Sequence, residues 1–152
     1  MRNEDATAGP FDILLVEDNP ADMRLAVEAM KEAQFNSTLH WVKDGVEAVE
    51  FLNHVGEYAQ APRPDLILLD LNLPRMDGRE VLANIKVDSR LKRIPVVILT
   101  TSRAQEDVLR SYDLHANCYI TKYPVDFDGF VGVFRTMDRF WFDLVTLPPK
   151  TG

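Results

Sequence analysis

Three short runs of purely aliphatic side chains, each closed by a polar residue, constrain this chain more than any other feature. They are Ile13–Val16, Leu66–Leu69 and Val96–Leu99. A strand with one wet face alternates apolar and polar residues, whereas a strand that is apolar at every position must be covered on both faces. Parallel sheets flanked by helices provide that cover. The segments between the runs carry apolar residues at helical rather than strand spacing, so the pattern is one of alternating strands and helices.

Followed along the chain, the pattern gives five of each. Residues 1–10 are small and polar, end in Gly9-Pro10, and read as a flexible arm. After Ile13–Val16, Asn19 can cap a helix whose first turn accepts Pro20. That helix runs to about Ala33, with Leu25, Ala26, Ala29, Met30 and Ala33 as its apolar positions. Thr38–Val42 is a weaker strand candidate. Asp44-Gly45 opens a helix with Val46, Val49, Phe51 and Leu52, and the segment from His54 to Pro64, broken by Gly56, Pro62 and Pro64, is a loop. Leu66–Leu69 follows, then a loop with Pro74 and Gly78, then a helix carrying Val81, Leu82 and Ile85. Pro95–Leu99 is the fourth strand, ending at Thr100-Thr101-Ser102. Val108, Leu109 and Tyr112 mark the next helix, and Asn117–Thr121 is the last strand. The C-terminal helix is expected to be the longest, with Phe127, Phe130, Val131, Phe134, Met137, Trp141 and Leu144 on one stripe. Such an order, strand first, indicates an α/β fold: a five-stranded, mainly parallel sheet with helices on both faces. One domain over 11–147, with a short tail at 148–152, accounts for the 152 residues.

Composition narrows the function. With 46% hydrophobic residues the chain can build a core, which excludes intrinsic disorder. Against 17 Lys+Arg stand 24 Asp+Glu, a net charge of −7. This balance argues against non-specific binding to nucleic acid or to anionic lipid. The single cysteine, Cys118, excludes an internal disulfide or a cysteine-rich zinc site and reads as a small buried residue. His40, His54 and His115 lie on different elements without ligand spacing, so none is assigned to a metal. No aliphatic run approaches the roughly 18 residues of a membrane span, and the first ten residues do not resemble a secretory signal. The expectation is a cytoplasmic protein with no membrane partner.

Chemistry gathers at the strand ends. In parallel α/β sheets, ligands bind beyond the carboxyl ends of the strands. Glu17 and Asp18 end the first strand and Asp70 ends the third, so three carboxylates emerge at one edge. At about 5 Å and an effective dielectric of about 20, each pair repels by roughly 3 kcal/mol. Such a cluster calls for a cation, and its oxygen donors suit Mg²⁺. The fourth and fifth strands end in Thr100 and Lys122, a hydroxyl and an ammonium at the same edge. Acids that hold a hard cation, with a lysine and a hydroxyl beside them, describe a site for a phosphoryl group. Asp70 is the candidate nucleophile. Singly, each residue has a plainer reading: a helix cap, an acidic helix start, a solvated lysine, a strand-end threonine. Their recurrence at corresponding ends of four strands favours the site.

These motifs resemble the response-regulator receiver domain over roughly residues 11–145. VEDNP carries Glu17 and Asp18, and DLILLDLNLPRMDG carries Asp70 with the Pro74/Gly78 loop behind it. The resemblance implies a flavodoxin-like (βα)5 fold in which Asp70 accepts phosphate from a histidine kinase. It also implies that Asn72 offers a backbone carbonyl to Mg²⁺ and that Thr100 and Lys122 contact the phosphoryl oxygens. Tyr119 falls on the aromatic position that switches rotamer together with the threonine. The long loop before Pro64, ILTTS after the fourth strand and the FWFDLVTLP tail resemble stand-alone regulators paired with cyanobacterial and bacterial phytochromes. One departure stands out. The family has proline directly after the lysine in a cis bond, whereas here Tyr123 follows Lys122 and Pro124 comes one later. Either Lys122–Tyr123 is itself cis, or the loop is rebuilt with an extra residue.

The resulting expectation is a phospho-accepting signalling protein, not a turnover enzyme, that passes its state to another protein. Only PPKTG follows Leu147, so no output domain is expected. Phe140, Trp141 and Phe142 in succession give more apolar width than one stripe buries, and suggest a homodimer seam against the alternative of a tail folded onto its own domain. Two other functions compete. An Asp-dependent phosphohydrolase wants a second acid two residues after the nucleophile, and Asn72 stands there instead. A phosphorylation-independent adaptor has no need of Glu17, Asp18, Asp70, Thr100 and Lys122 together.

Overall fold

The computed structural model describes residues 10–100, 104–121 and 127–149. Lys122, Tyr123 and Pro124 therefore lie outside the described residues, as do the first nine. The strands are β1 (Phe11–Val16), β2 (Ser37–Val42), β3 (Leu66–Leu69), β4 (Val96–Thr100) and β5 (Cys118–Thr121). Between and after them come α1 (Pro20–Glu32), α2 (Gly45–Leu52), α3 (Gly78–Val87), α4 (Gln105–Asp113) and α5 (Phe127–Asp138). All neighbouring strands pair parallel, in the order β2-β1-β3-β4-β5. The expected fold class is what forms.

The apolar runs are covered on both faces, as their composition requires. Ile13, Leu15, Leu66 and Leu68 point to the side of α1 and α5, where Ala29, Met30, Phe130 and Phe134 meet them. Leu14, Val16, Ile67 and Leu69 point to the other side, against Phe51, Leu52, Val81, Leu82 and Ile85 of α2 and α3. Every residue of β3 is fully buried. β1 lies between β2 and the central strand β3 and sets the register of both: Val16 stands beside Val42 and Leu69.

Caps fix where the helices begin. The Asn19 side chain accepts from the Ala21 and Asp22 amides, and Pro20 sits in the first turn where no amide hydrogen is needed. Asp44 caps α2 through the Glu47 amide and Asp77 caps α3 through the Arg79 amide. All three caps lie on loops that leave the carboxyl ends of strands. The positive ends of α1, α2 and α3 therefore lie along the edge that carries the acids.

Several expectations need correcting. The stretch before Pro64 is not irregular throughout: Gly56–Tyr58 forms a 3₁₀ turn. There the Tyr58 hydroxyl donates to Glu47 Oε1 at 2.9 Å and its ring meets that of Phe51. Leu25, Leu109, Tyr112 and Phe127, read as members of apolar stripes, are exposed. On α4 only Ser111 is buried. The C-terminal helix is the longest of those described, as expected, but only its first 12 residues are α-helical. It continues as a π-helical turn over Arg139–Leu144, with Val145 donating to Phe140 five residues back. Trp141 packs on the core as the expected stripe has it, while Phe140 beside it faces outward. Cys118 is half-buried rather than buried.

Candidate functional site

β1 delivers Glu17 and β3 delivers Asp70 at adjacent places, because the two strands pair in register up to Val16 and Leu69. The Asp70 amide then extends the ladder, donating to the Val16 carbonyl at 3.1 Å. One carboxylate oxygen from each of Glu17, Asp18 and Asp70 lies within 4.8 Å of the others. Glu17 and Asp70 are 4% and 7% exposed, while Asp18 opens to solvent. Two acids are thus held in a low-dielectric pocket with a third at its mouth. This donor set of hard oxygens, with charges that repel unless compensated, fits a divalent cation. Among the described residues no other His/Cys/Asp/Glu cluster has metal-binding geometry.

Neighbouring groups hold the acids in place. The fully buried Thr100 hydroxyl donates to Asp70 Oδ1 at 2.9 Å, and the Asn72 amide donates to the same oxygen at 3.1 Å. The Asn19 amide donates to Glu17 Oε2 at 3.2 Å. Tyr119 lies beside Ile98 in the β4–β5 register and packs on the same sheet face. Thr100, two residues beyond Ile98, shares that face.

The three expected acids and the expected hydroxyl, Glu17, Asp18, Asp70 and Thr100, therefore meet at one point, and the Asn72 backbone adjoins it. The Asn72 carbonyl's role toward a metal rests on the resemblance. Lys122 falls outside the described residues, and so does the question of its cis bond. Of the three aromatics read as a seam, Phe140 is 46% exposed and stacks edge-on against Trp141, with ring centroids 5.1 Å apart. The side chain of Phe142 is not among those described.

Three supporting features escaped the sequence reading. The Trp41 indole donates from Nε1 to the Glu17 carbonyl at 2.7 Å. Asp44, 6% exposed, caps α2 and also accepts from Arg75 Nη1 at 3.1 Å, holding the loop after Asp70 from below. Gly78 presses against the Asp70–Leu71 backbone so closely that a Cβ there would stand 2.2 Å from the Asp70 carbonyl oxygen. The glycine after Pro74 was visible as a loop signal, but its contact requires the folded chain.

A parallel 2-1-3-4-5 sheet with three acids and a threonine at its carboxyl edge defines a response-regulator receiver domain, and the chain belongs to that family. Residues 13–132 match the model of the response regulator receiver domain. The chain is 52% identical over 144 residues to the response regulator Rcp1 of Synechocystis sp., covering 95% of this chain and 97% of that protein. The crystal structure of Mn²⁺-bound Rcp1 superposes with a TM-score of 0.84 at 51% identity, over 92% of this chain and all of that one. The phosphorylated cyanobacterial phytochrome response regulator RcpA gives a TM-score of 0.85 at 52% identity, over 91% of this chain and 99% of that one. The receiver domain of a Pseudomonas aeruginosa sensor histidine kinase holds magnesium in its active-site cleft. It matches at a TM-score of 0.68 and 26% identity, over 87% of this chain and 97% of that one. No described helix of this chain is long and apolar enough to cross a membrane.

Proposed function

We propose that this receiver takes a phosphoryl group on Asp70 from the phosphohistidine of a phytochrome-type sensor kinase, with Mg²⁺ held by Glu17, Asp18, Asp70 and the Asn72 carbonyl. The observation that carries the proposal is the meeting of three carboxylates within 4.8 Å with a buried hydroxyl 2.9 Å from Asp70. In the transfer an Asp70 carboxylate oxygen attacks phosphorus, the P–N bond to the kinase imidazole breaks, and the imidazole nitrogen keeps the electron pair. The cation's part is to neutralise charge on the phosphoryl and carboxylate oxygens. Thr100 and Lys122 then bind the phosphoryl oxygens, and Tyr119 turns inward as Thr100 moves. The phytochrome partner is supported by the likeness to RcpA over nearly the whole of both chains. Asn72, where a phosphohydrolase would place its second acid, favours a retained phosphoryl group.

The output passes through the face of α4, β5 and α5. Leu109, Tyr112, Phe127 and Phe140 are all exposed on these helices and the turn that follows α5. Phe140 also lines an open groove of about 870 Å³ between β5 and α5, with Cys118, Ile120, Val133, Met137 and Trp141. Exposed apolar surface of this kind marks an interface. A second copy of the chain and a downstream protein are its proposed occupants. Light scattering on wild type and Phe140→Asp is expected to show a dimer that the variant dissociates, and equal masses would refute the seam.

The phosphoryl site is tested by intact-protein mass after incubation with a small acyl phosphate and Mg²⁺. Wild type is expected to gain one phosphoryl group, and Asp70→Asn none. A folded wild-type protein that gains nothing would overturn the reading and favour the phosphorylation-independent adaptor.

A further inference from the structure

We infer that Trp41 is a positioning residue of the metal site: its indole N–H fixes the Glu17–Asp18 peptide and so tunes cation affinity. The inference rests on the functional reading above and adds to it a residue from a different strand.

The geometry starts at the end of the β1–β2 ladder. The Glu17 amide still follows the ladder, donating to the Val42 carbonyl at 3.1 Å. β2 stops at Val42, just where the Glu17 carbonyl would next take a ladder amide. Instead the side chain of Trp41, which stands opposite Leu15, reaches two positions along and donates to that carbonyl at 2.7 Å. Both peptides of Glu17 are thereby held by β2, the one before it through its backbone amide and the one that joins it to Asp18 through the indole. Glu17 also has its carboxylate engaged by the Asn19 amide. Asp18 is exposed, and it takes its direction from the peptide that Trp41 holds.

Trp41 is itself well seated for this. The ring is half-buried, packs against the core on the side of α1 and α5, and carries the Lys43 ammonium 5.7 Å from its centroid. A rigid, packed ring with a single donor fixes an acceptor more firmly than a flexible polar chain would. Groups that orient ligands without touching the metal commonly change its affinity by about 10–100-fold when removed. With Glu17 and Asp70 still in place, we expect the lower end, about tenfold.

The same contact makes Trp41 an optical probe. Its N–H partner is the carbonyl of a residue whose carboxylate belongs to the cluster, so cation binding alters the field at the indole. Trp141 is the other tryptophan. In a Trp141→Phe background Trp41 reports alone.

The test is titration of Mg²⁺ by calorimetry into wild type and Trp41→Phe, with urea unfolding of each. Trp41→Phe keeps an aromatic ring there, though a smaller one, and loses the donor. About tenfold weaker binding is expected, together with an acyl-phosphate reaction slowed at low Mg²⁺ and restored at saturating Mg²⁺. Lower stability with unchanged Mg²⁺ affinity would overturn the inference, because it would leave Trp41 a purely structural role. Should Trp41→Phe not fold, the Trp141→Phe protein decides: Mg²⁺ must shift its emission, and a flat titration at concentrations where calorimetry records binding would overturn the inference. A wild type that binds no Mg²⁺ and gains no phosphoryl group would instead overturn the functional reading beneath it.

Discussion

Gly78→Ala separates the demands of the site from the preferences of a helix. Gly78 opens α3, and on helix propensity alone alanine there would be favourable by up to about 1 kcal/mol. Space argues the other way. A Cβ at this position would stand 2.2 Å from the Asp70 carbonyl oxygen, 2.7 Å from Leu71 Cα and 3.0 Å from the Leu71 carbonyl oxygen. All three atoms are backbone, so no side chain can swing aside. Restoring an ordinary contact would require α3 and the Asp70–Leu71 peptide to separate by more than an ångström. That movement also strains the bond from the Gly78 amide to the Leu71 carbonyl, now 3.0 Å. Forced overpacking of this kind costs typically about 1–3 kcal/mol, and rigid backbone neighbours put it at the upper end. Net destabilisation should be about 2 kcal/mol, lowering Tm by several degrees for a domain of this size. Because the displaced peptide carries Asp70, phosphoryl uptake should fall more than stability does. Urea unfolding, and the rate of mass gain with acyl phosphate at saturating Mg²⁺, measure the two effects. An alanine variant as stable as wild type, or more so, would refute the close-approach argument.

Removing the hydroxyl that holds Asp70, by Thr100→Val, leaves a buried carboxylate oxygen with one donor fewer, and should cost about 1–3 kcal/mol in urea unfolding. Asp44→Ala removes the α2 cap and the partner of Arg75 together, and a loss of about 1–2 kcal/mol is expected. Asp44→Asn should recover most of it, since the amide oxygen still caps. Lys86 gives a pH signature. Its ammonium donates to the Lys92 and Ile94 carbonyls and to Asn117 Oδ1, yet burial outweighs these acceptors and pushes it down to about 8. Between that value and its ordinary 10.5 the folded state binds fewer protons than the unfolded one. Stability of wild type relative to Lys86→Met should therefore rise with pH across this window, by about 1–2 kcal/mol once solvent screening is discounted. A difference that stays flat or falls in urea unfolding from pH 7 to 10 would contradict it.

The site was legible because its residues interrupt a strong signal. A polar side chain directly after a run such as Leu66–Leu69 has one place to go, the strand end. Parallel topology then brings Glu17, Asp18, Asp70 and Thr100 to the same edge without knowledge of any contact. Trp41 gave no such signal. It lies in the weakest strand, and its role depends on how the β1–β2 register ends and on which way one indole turns. The closeness of Gly78 to Asp70, and of Gly45 to Met76, is likewise a property of packed loops rather than of spacing.

Where the helices were misread, the error has a pattern. Apolar periodicity shows that a stripe exists but not what covers it. In α3 the stripe of Val81, Leu82 and Ile85 is buried by the sheet, as spacing alone suggested. In α4 the same kind of spacing produced Leu109 and Tyr112, which face solvent, and at the start of α5 it produced Phe127. Val87, at the end of α3, is exposed singly and asks for no explanation. Leu109, Tyr112, Phe127 and Phe140 differ in belonging to consecutive helical segments at one end of the sheet. The cover that a stripe demands and the isolated chain does not supply must come from a neighbour or cost solubility. The misreading of α4 and the start of α5 is thus physical support for the proposed output face. Phosphorylation at Asp70 would act on that face through Thr100 at the end of β4, from which the chain leads directly to α4.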